Sequence, residues 1–331
     1  MLCSVVMPLL NEEMNVYRAY DRVRNVLDSC GCDWELICVD DGSTDRTFDL
    51  LNDLARKDPR VRGLRFSRNF GAHAALSSGF AVARGEVAFA VGADVQEPLD
   101  KLSVFIDRYR EGYNVVWGVR VKRKDPALTR FLSGAFNEIF ARFGMLESLP
   151  KNASFVLIDR KVLDALKLFA ERNRMIWGLI AWAGFRQTFV PCAFGEREIG
   201  KSRWTLSKKT KLAIDTLLSF SFVPIRLVSG IGIVISMLSF LFGVWIGIQA
   251  LLHGVAVQGW PTMMFTILFL AGLQLLVTGV MGEYIWRTLD ETRQRPLYII
   301  SETVGFSEGD ARLDHRELFH DVQLGLDIKG Q

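Results

Sequence analysis

Two short stretches end apolar runs in acids. In "VDDGSTDRT" (residues 39–47) Asp40 and Asp41 stand side by side, and in "FAVGADVQEP" (89–98) Asp94 stands alone before the turn at Pro98. Paired carboxylates at the end of a strand can accept hydrogen bonds from a base or from ribose hydroxyls, as acids do in other nucleotide-binding sheets. The Gly-Ser-Thr that follows suits a tight turn, with Ser43 or Thr44 expected to cap the next helix. Capping accounts for Ser43, Thr44 and Asp45. It leaves Asp40 and Asp41, on the strand side of the turn, free for chemistry.

The elements that must hold these residues follow from the surrounding pattern. Short apolar runs alternate with helical ones: "CSVVMPLL", then a polar segment to Ser29; "ELICVD", then "STDRTFDLLNDLARK"; "VRGLRFS", then "GAHAALSSGFAVARG"; "EVAFAVGA", then "LDKLSVFIDRYREG"; and "NVVWGVR" last. Such repetition predicts an α/β fold. The strand-like runs are continuously apolar rather than alternating, the pattern of a mostly parallel sheet covered by helices on both faces. In such sheets ligands bind beyond the carboxyl ends of the strands. The runs end at Pro8, with Asn11 and Glu12 next; at Asp40 and Asp41; at Arg68 and Asn69; at Asp94; and at Arg120. Their polar groups are therefore expected on one edge.

The later part of the chain has another composition. No Asp, Glu, Lys or Arg occurs from Leu227 to Gly282. Two apolar stretches, roughly 227–250 and 261–285, flank "LLHGVAVQGWP", and each meets the ~20 residues that cross a bilayer. This predicts a two-helix transmembrane hairpin. Lys208, Lys209, Lys211 and Arg226 precede it and Arg287, Arg293 and Arg295 follow it, while the connecting loop has no such cation. Both ends are therefore expected on the cytoplasmic side of an inner, cytoplasmic membrane. "SKKTKLAIDTLLSFSFVPIRL" has its lysines at one end, as an interfacial helix entering the hairpin would. The expected order is a cytoplasmic domain at 1–205, a juxtamembrane amphipathic segment at 206–226, the hairpin at 227–286 and a cytoplasmic tail at 287–331. The N-terminus lacks a basic lead and a small-residue cleavage site, so no secretory signal is expected. The five cysteines show no paired C-x-x-C spacing and read as reduced, packed thiols. A net charge of +3 gives no ground for a nucleic-acid partner.

The motifs "PLLNEE", "VDDGSTDRT", "SRNFGAHAAL", "GADVQEP", "GVRVKRKD", "RQTFVP" and "GKSRW", followed after the hairpin by "GEYIWR" and "RPLYII", occur in one order over about residues 3 to 300. Together they resemble the family 2 glycosyltransferases that load a sugar onto a polyprenyl phosphate, bactoprenol glucosyltransferases and dolichol-phosphate mannosyltransferases being the most similar kinds. The resemblance implies a Rossmann-like nucleotide-diphosphosugar transferase domain and inverting transfer from a UDP-sugar, a hexose donor, to a polyprenyl phosphate at the membrane face. It implies a nucleotide-sugar site of Pro8, Leu10, Asn11, Glu12, Asp40, Asp41, Arg68 and Asp94. It implies Mg2+ or Mn2+ on Asp94 and Gln96, with Asp94, Gln96 and Arg120 catalytic. The acceptor phosphate needs cations, for which Arg120, Arg123, Lys124, Arg130, Lys201 and Arg203 are placed in sequence.

Two departures stand out. Relatives usually read Asp-Ala-Asp-Leu-Gln where this chain has Gly92, Ala93, Asp94, Val95 and Gln96, so the first acid of the metal motif is missing. Where many read Gly-Asp-Phe-Arg-Leu, this chain has Ala153, Ser154, Phe155, Val156 and Leu157. Both point to an altered sugar pocket or a weakened or metal-independent catalyst. The alternatives are a catalytically silent membrane partner that binds nucleotide sugar and a processive polysaccharide synthase. The latter usually carries Gln-x-x-Arg-Trp, whereas Arg203-Trp204 here follows Gly-Lys-Ser. Besides the bilayer, a second copy joined through the hairpin is an expected partner.

Overall fold

The computed structural model describes residues 1–94, 99–120, 153–169, 171, 175–192, 260–293 and 295–306, with isolated positions between 232 and 259. They fall into two compact units, one holding 1–138, 146–206 and 296–331, the other 139–145 and 207–295.

The first unit is built on an eight-stranded sheet in the order β7-β5-β6-β4-β1-β2-β3-β8. Its strands are β1 (Leu2–Leu9), β2 (Asp33–Asp40), β3 (Val61–Phe66), β4 (Val87–Ala90), β5 (Val115–Arg120), β6 (Ala153–Asp159), β7 (Gln187–Cys192) and β8 (Ile300–Val304). The parallel core β4-β1-β2-β3 matches the continuous apolar runs: along β2 every residue after Asp33 is buried. Helices α1 (Val16–Cys30), α2 (Thr47–Lys57), α3 (Ala72–Val82) and α4 (Leu102–Arg110) follow the first four strands. In α1 the buried set Val16, Ala19, Tyr20, Val23 and Leu27 recurs at helical spacing and seals one face against the sheet. Gly31 ends that helix in the left-handed conformation, φ 64°. Helices α5 (Arg160–Leu168) and α6 (Ile176–Trp182) lie between β6 and β7.

The sheet is mixed. β6 runs antiparallel between β4 and β5, and β8 runs antiparallel along β3. The segment Ala153–Leu157 thus lies in a strand, with Phe155, Val156 and Leu157 buried. Phe155 packs edge-on against Phe105, ring centroids 4.9 Å apart.

The second unit contains α7 (Trp260–Thr292), 33 residues long. Met263, Ile267, Phe269, Leu275, Met281 and Ile285 are all exposed. Within it Phe269–Asp290, of 22 residues and hydropathy 1.3, is the one helix among the described residues long and apolar enough to cross a membrane. The first arm expected at 227–250 lies largely outside the described residues, as does the juxtamembrane segment 206–226. At the described positions between 232 and 252 the chain is helical, with Phe242 and Trp245 exposed and stacked on each other. Ile300–Val304, part of the stretch expected as a tail, returns to the sheet of the first unit as β8.

Candidate functional site

At the carboxyl end of β2 two buried acids do different things. Asp40 is fully buried, and its Oδ1 accepts the Ser43 N–H at 3.1 Å. Its Oδ2 has no hydrogen bond; Nε of Arg65 lies 3.4 Å away, near enough to lend charge. Asp41 accepts the N–H groups of Phe70 at 2.7 Å and Gly71 at 3.0 Å, which draws the loop after β3 onto the end of β2. Burial raises both carboxyl pKa values above the usual Asp range. The Ser43 hydrogen bonds and Arg65 act against the shift at Asp40, and the two amides act against it at Asp41.

Gly42 makes this approach possible. Its φ is +70°, and a Cβ there would stand 2.6 Å from the Arg68 carbonyl carbon and 2.8 Å from the Asn69 nitrogen. Arg68 itself lies over the Phe70 ring, 4.1 Å from its centroid, and donates to the Asn69 carbonyl.

The loop after β1 is laced to the loop after β2. Asn11, a non-glycine residue with positive φ at 50°, accepts the Thr44 N–H at 2.8 Å on Oδ1, and its own N–H donates to Ser43 Oγ at 2.8 Å. The Glu12 N–H donates to Thr47 Oγ1 at 2.9 Å. Ser43 and Thr44 therefore do not cap α2; its N-cap is Arg46, which makes no side-chain cap bond. Asp45 serves the first turn instead, accepting the Thr47 N–H at 3.0 Å. The long-range partner Asn11 outcompetes the local cap because it satisfies two loops at once.

Asp94, in the turn four residues past β4, and Arg120, the last residue of β5, lie on the same edge. Leu9 is level with Asp40 and Val6 with Ala90, so continuing the second register sets Leu10 near the level of Asp94. Leu157 of β6 faces Val116 on one side and Phe89 on the other, so Arg120 ends β5 near the level of Ala93. At ~4.8 Å per strand, Asp40 is roughly 10 Å across the sheet from the level of Ala93 just past β4, and roughly 19 Å from the end of β5. Pro8 and Leu10 are half-buried between β2 and β4. Gln96, Arg123, Lys124, Arg130, Lys201 and Arg203 lie outside the described residues.

Among the described residues no group of three or more His, Cys, Asp or Glu is arranged to hold a metal. Among the described residues just past β4 the carboxylate is Asp94, with Gly92 two residues earlier. It suits a hard cation only when a diphosphate supplies further oxygens. A cavity of about 550 Å³ lies elsewhere, near the start of β2, lined by Asp28, Cys32, Asp33, Trp34 and Arg60. Arg60 fills part of its wall, stacked 3.8 Å above Trp34 and bonded to Asp28 and Asp58. All five cysteines are free thiols, and burial pushes Cys3 and Cys38 up to about 12.

Sequence reasoning passed over Arg65, which sits inside an apolar run. The pattern signal was there: a basic residue in an otherwise buried strand calls for a partner.

Residues 4–166 match the family model described as glycosyl transferase family 2. An uncharacterized glycosyltransferase of Synechocystis sp. is 36% identical over 303 residues, 91% of this chain and 95% of that protein. A prophage bactoprenol glucosyl transferase homolog of Escherichia coli is 34% identical over 91% of this chain and 98% of its own. The bactoprenol glucosyl transferase of Shigella phage SfII is 34% identical over 92% of this chain and 98% of its own.

Proposed function

We propose, since this chain belongs to glycosyl transferase family 2 and is a glycosyltransferase, that it transfers a hexose from a UDP-sugar to a polyprenyl phosphate at the cytoplasmic face of a membrane. The observation that carries the reading is the alignment of Asp40, Asp94 and Arg120 on the carboxyl edge of one sheet. The names of the relatives from the Shigella phage and from Escherichia coli supply the acceptor class.

In this reading the nucleoside lies over β1, β2 and β3, with Pro8, Leu10, Asn11, Glu12, Asp40, Asp41 and Arg68 around it. Oδ2 of Asp40 is the acceptor still lacking a hydrogen bond. The diphosphate and sugar extend toward Asp94. A phosphomonoester has a second pKa near ~6, so the lipid phosphate is already an anionic nucleophile and needs no protein base. One of its oxygens attacks the anomeric carbon, the bond from that carbon to the diphosphate oxygen breaks, and UDP departs with inversion. Arg120, with Arg123, Lys124, Arg130, Lys201 and Arg203, neutralises the two approaching phosphates. Asp94 and Gln96 would hold a divalent cation, Mg2+ or Mn2+, which would supply further charge neutralisation on the leaving group.

Connectivity supports the membrane hairpin. β7 and β8 belong to one sheet, so the chain between Cys192 and Ile300 begins and ends on the same side of any bilayer. The number of crossings between them is therefore even. Phe269–Asp290 is one candidate crossing, and the apolar stretch 227–250 is the one proposed to pair with it. A helix of 33 residues is roughly 50 Å long, more than the ~30 Å hydrocarbon core, so α7 extends beyond the membrane.

The test is turnover by the purified full chain with a short polyprenyl phosphate, Mg2+ or Mn2+ and a panel of radiolabelled UDP-sugars. A lipid-linked product with one donor is expected. No product with any donor refutes the reading and favours a silent partner, the alternative that the missing acid at position 92 supports.

A further inference from the structure

We propose that Glu302 and Arg65 are a positioning pair for the nucleotide site: Glu302, on the strand that follows the apolar helix, holds the Arg65 guanidinium where it lends charge to Asp40 without hydrogen-bonding its buried, unpaired Oδ2. This rests on the reading of Asp40 as a nucleotide ligand.

The geometry is specific. Arg65 and Glu302 are directly opposite in the antiparallel β3–β8 ladder, and the Arg65 Nη1 donates to Glu302 Oε1 at 2.6 Å. Its Nε stays 3.4 Å from Asp40 Oδ2 without hydrogen-bond geometry, and its guanidinium lies 5.1 Å from the centroid of the Phe48 ring. One cation thus serves two acids. Asp40 is fully buried, whereas Glu302 is half exposed.

Removing Glu302 frees the guanidinium to turn and form a direct hydrogen bond with Oδ2, closing the acceptor. Removing Arg65 leaves Oδ2 unpaired but takes away a positive charge that, together with the Ser43 hydrogen bonds, opposes the effect of burial on Asp40. The two substitutions thus weaken nucleotide binding by different routes.

The strand that presents Glu302 is well anchored. Tyr298, almost fully buried, stacks on Phe66 with ring centroids 5.0 Å apart and an interplanar angle of 11°. The Ser67 N–H donates to the Ile299 carbonyl at 2.9 Å, and Ser301 Oγ donates to the Arg65 carbonyl at 3.2 Å. A register shift between Arg65 and Phe66 turns the ladder at this point. None of these contacts uses Glu302, so its substitution leaves β8 docked. The motif "RPLYII" acquires a reason: it fastens the returning chain beside the nucleotide site.

The experiment measures UDP binding to the full-length protein in detergent by titration calorimetry, over a range of pH, for wild type, Glu302→Ala, Glu302→Gln, Arg65→Met, the double variant Arg65→Met/Glu302→Ala, and Asp40→Asn. Glu302→Ala is expected to weaken UDP binding roughly tenfold at every pH, with Glu302→Gln in between. Arg65→Met is expected to move the acid limb of binding to higher pH. The double variant should match Arg65→Met alone, because Glu302 acts only through Arg65. Wild-type affinity in Glu302→Ala, or additive losses in the double variant, overturns the proposal. If Asp40→Asn binds UDP like wild type, it is the assignment of Asp40 that fails, an outcome distinct from the previous two.

Discussion

Gly42 and Gly31 share a backbone conformation and differ in surroundings, so the same substitution separates two costs. Both have positive φ, +70° and +64°, but a Cβ on Gly31 meets nothing within 4 Å, whereas on Gly42 it meets three backbone atoms of Arg68 and Asn69 at 2.6–2.9 Å. Gly31→Ala therefore carries only the left-handed penalty, about 1–2 kcal/mol. Gly42→Ala adds an overpacking cost of about 1–3 kcal/mol, for a total near 2–5 kcal/mol, because backbone cannot step aside as a side chain can. The displaced atoms belong to the loop whose Phe70 and Gly71 amides hold Asp41. The extra cost should thus appear in ligand binding as well as in stability. Thermal unfolding of the detergent-solubilised chain, with and without UDP, reads both quantities. Gly42→Ala should lower Tm by more than Gly31→Ala and lose most of the UDP-induced rise, while Gly31→Ala keeps that rise. Equal shifts for the two variants, or a full UDP response in Gly42→Ala, would refute the claim that the turn after β2 and the loop after β3 form one unit.

Asp94→Asn should abolish transfer, by about 100-fold or more, while Tm stays that of wild type; a wild-type rate removes Asp94 from the chemistry. Gly92→Asp should lower the Mn2+ concentration that half-saturates UDP-dependent metal binding, and an unchanged titration shows that position 92 does not face the cation. Burial raises the Asp40 and Asp41 carboxyls, so UDP binding should fall off on acidification at a higher pH than an ordinary Asp would give, since a protonated acid no longer accepts. Asp58 opposes its burial with hydrogen bonds from Arg60 and Tyr20 that bring it down to about 2. A depressed acid stabilises the fold above its unfolded pKa and loses that contribution as pH falls through the depressed value. Asp58→Asn should therefore destabilise by about 1–2 kcal/mol at neutral pH, the lower range reflecting the part-exposed Arg60, with the difference from wild type vanishing toward pH 2 in urea titrations.

What was legible in the sequence was what local pattern controls. The unbroken apolar runs of β1 and β2 are a property of strands covered on both faces, and they announced the parallel core and hence the edge to inspect. β6 escaped because its identity comes from distant partners: Phe89 and Val116 flank Leu157, and nothing in "ASFVL" itself says on which side it pairs or in which direction. β8 escaped for the opposite reason. As an edge strand it carries Ser301, Glu302 and Thr303, all exposed, so its apolar content is too low to read. Ser43 and Thr44 matched a helix-start signature that fails because Asn11 claims them from another loop. Arg65 gave its role away least of all, since its partner Glu302 lies beyond the apolar helix in the chain.

The strand order also bears on which way round a nucleotide sugar can lie. The edge has a half at β1, β2 and β3, where Asp40 and Asp41 are buried acceptors, and a half at β4 and β5, beyond whose carboxyl ends stand Asp94 and Arg120. A base and a ribose bring donors and no charge, so they suit the acidic half. Phosphates brought beside Asp40 and Asp41 would meet like charge in a poorly solvated place, where the cost is several times that in water. The cations that follow in sequence after Arg120 have the sign the phosphates need. The electrostatics therefore orient the proposed donor with its nucleoside on Asp40 and its diphosphate toward β4. In that orientation the anomeric carbon would be carried toward β5, which ends in Arg120.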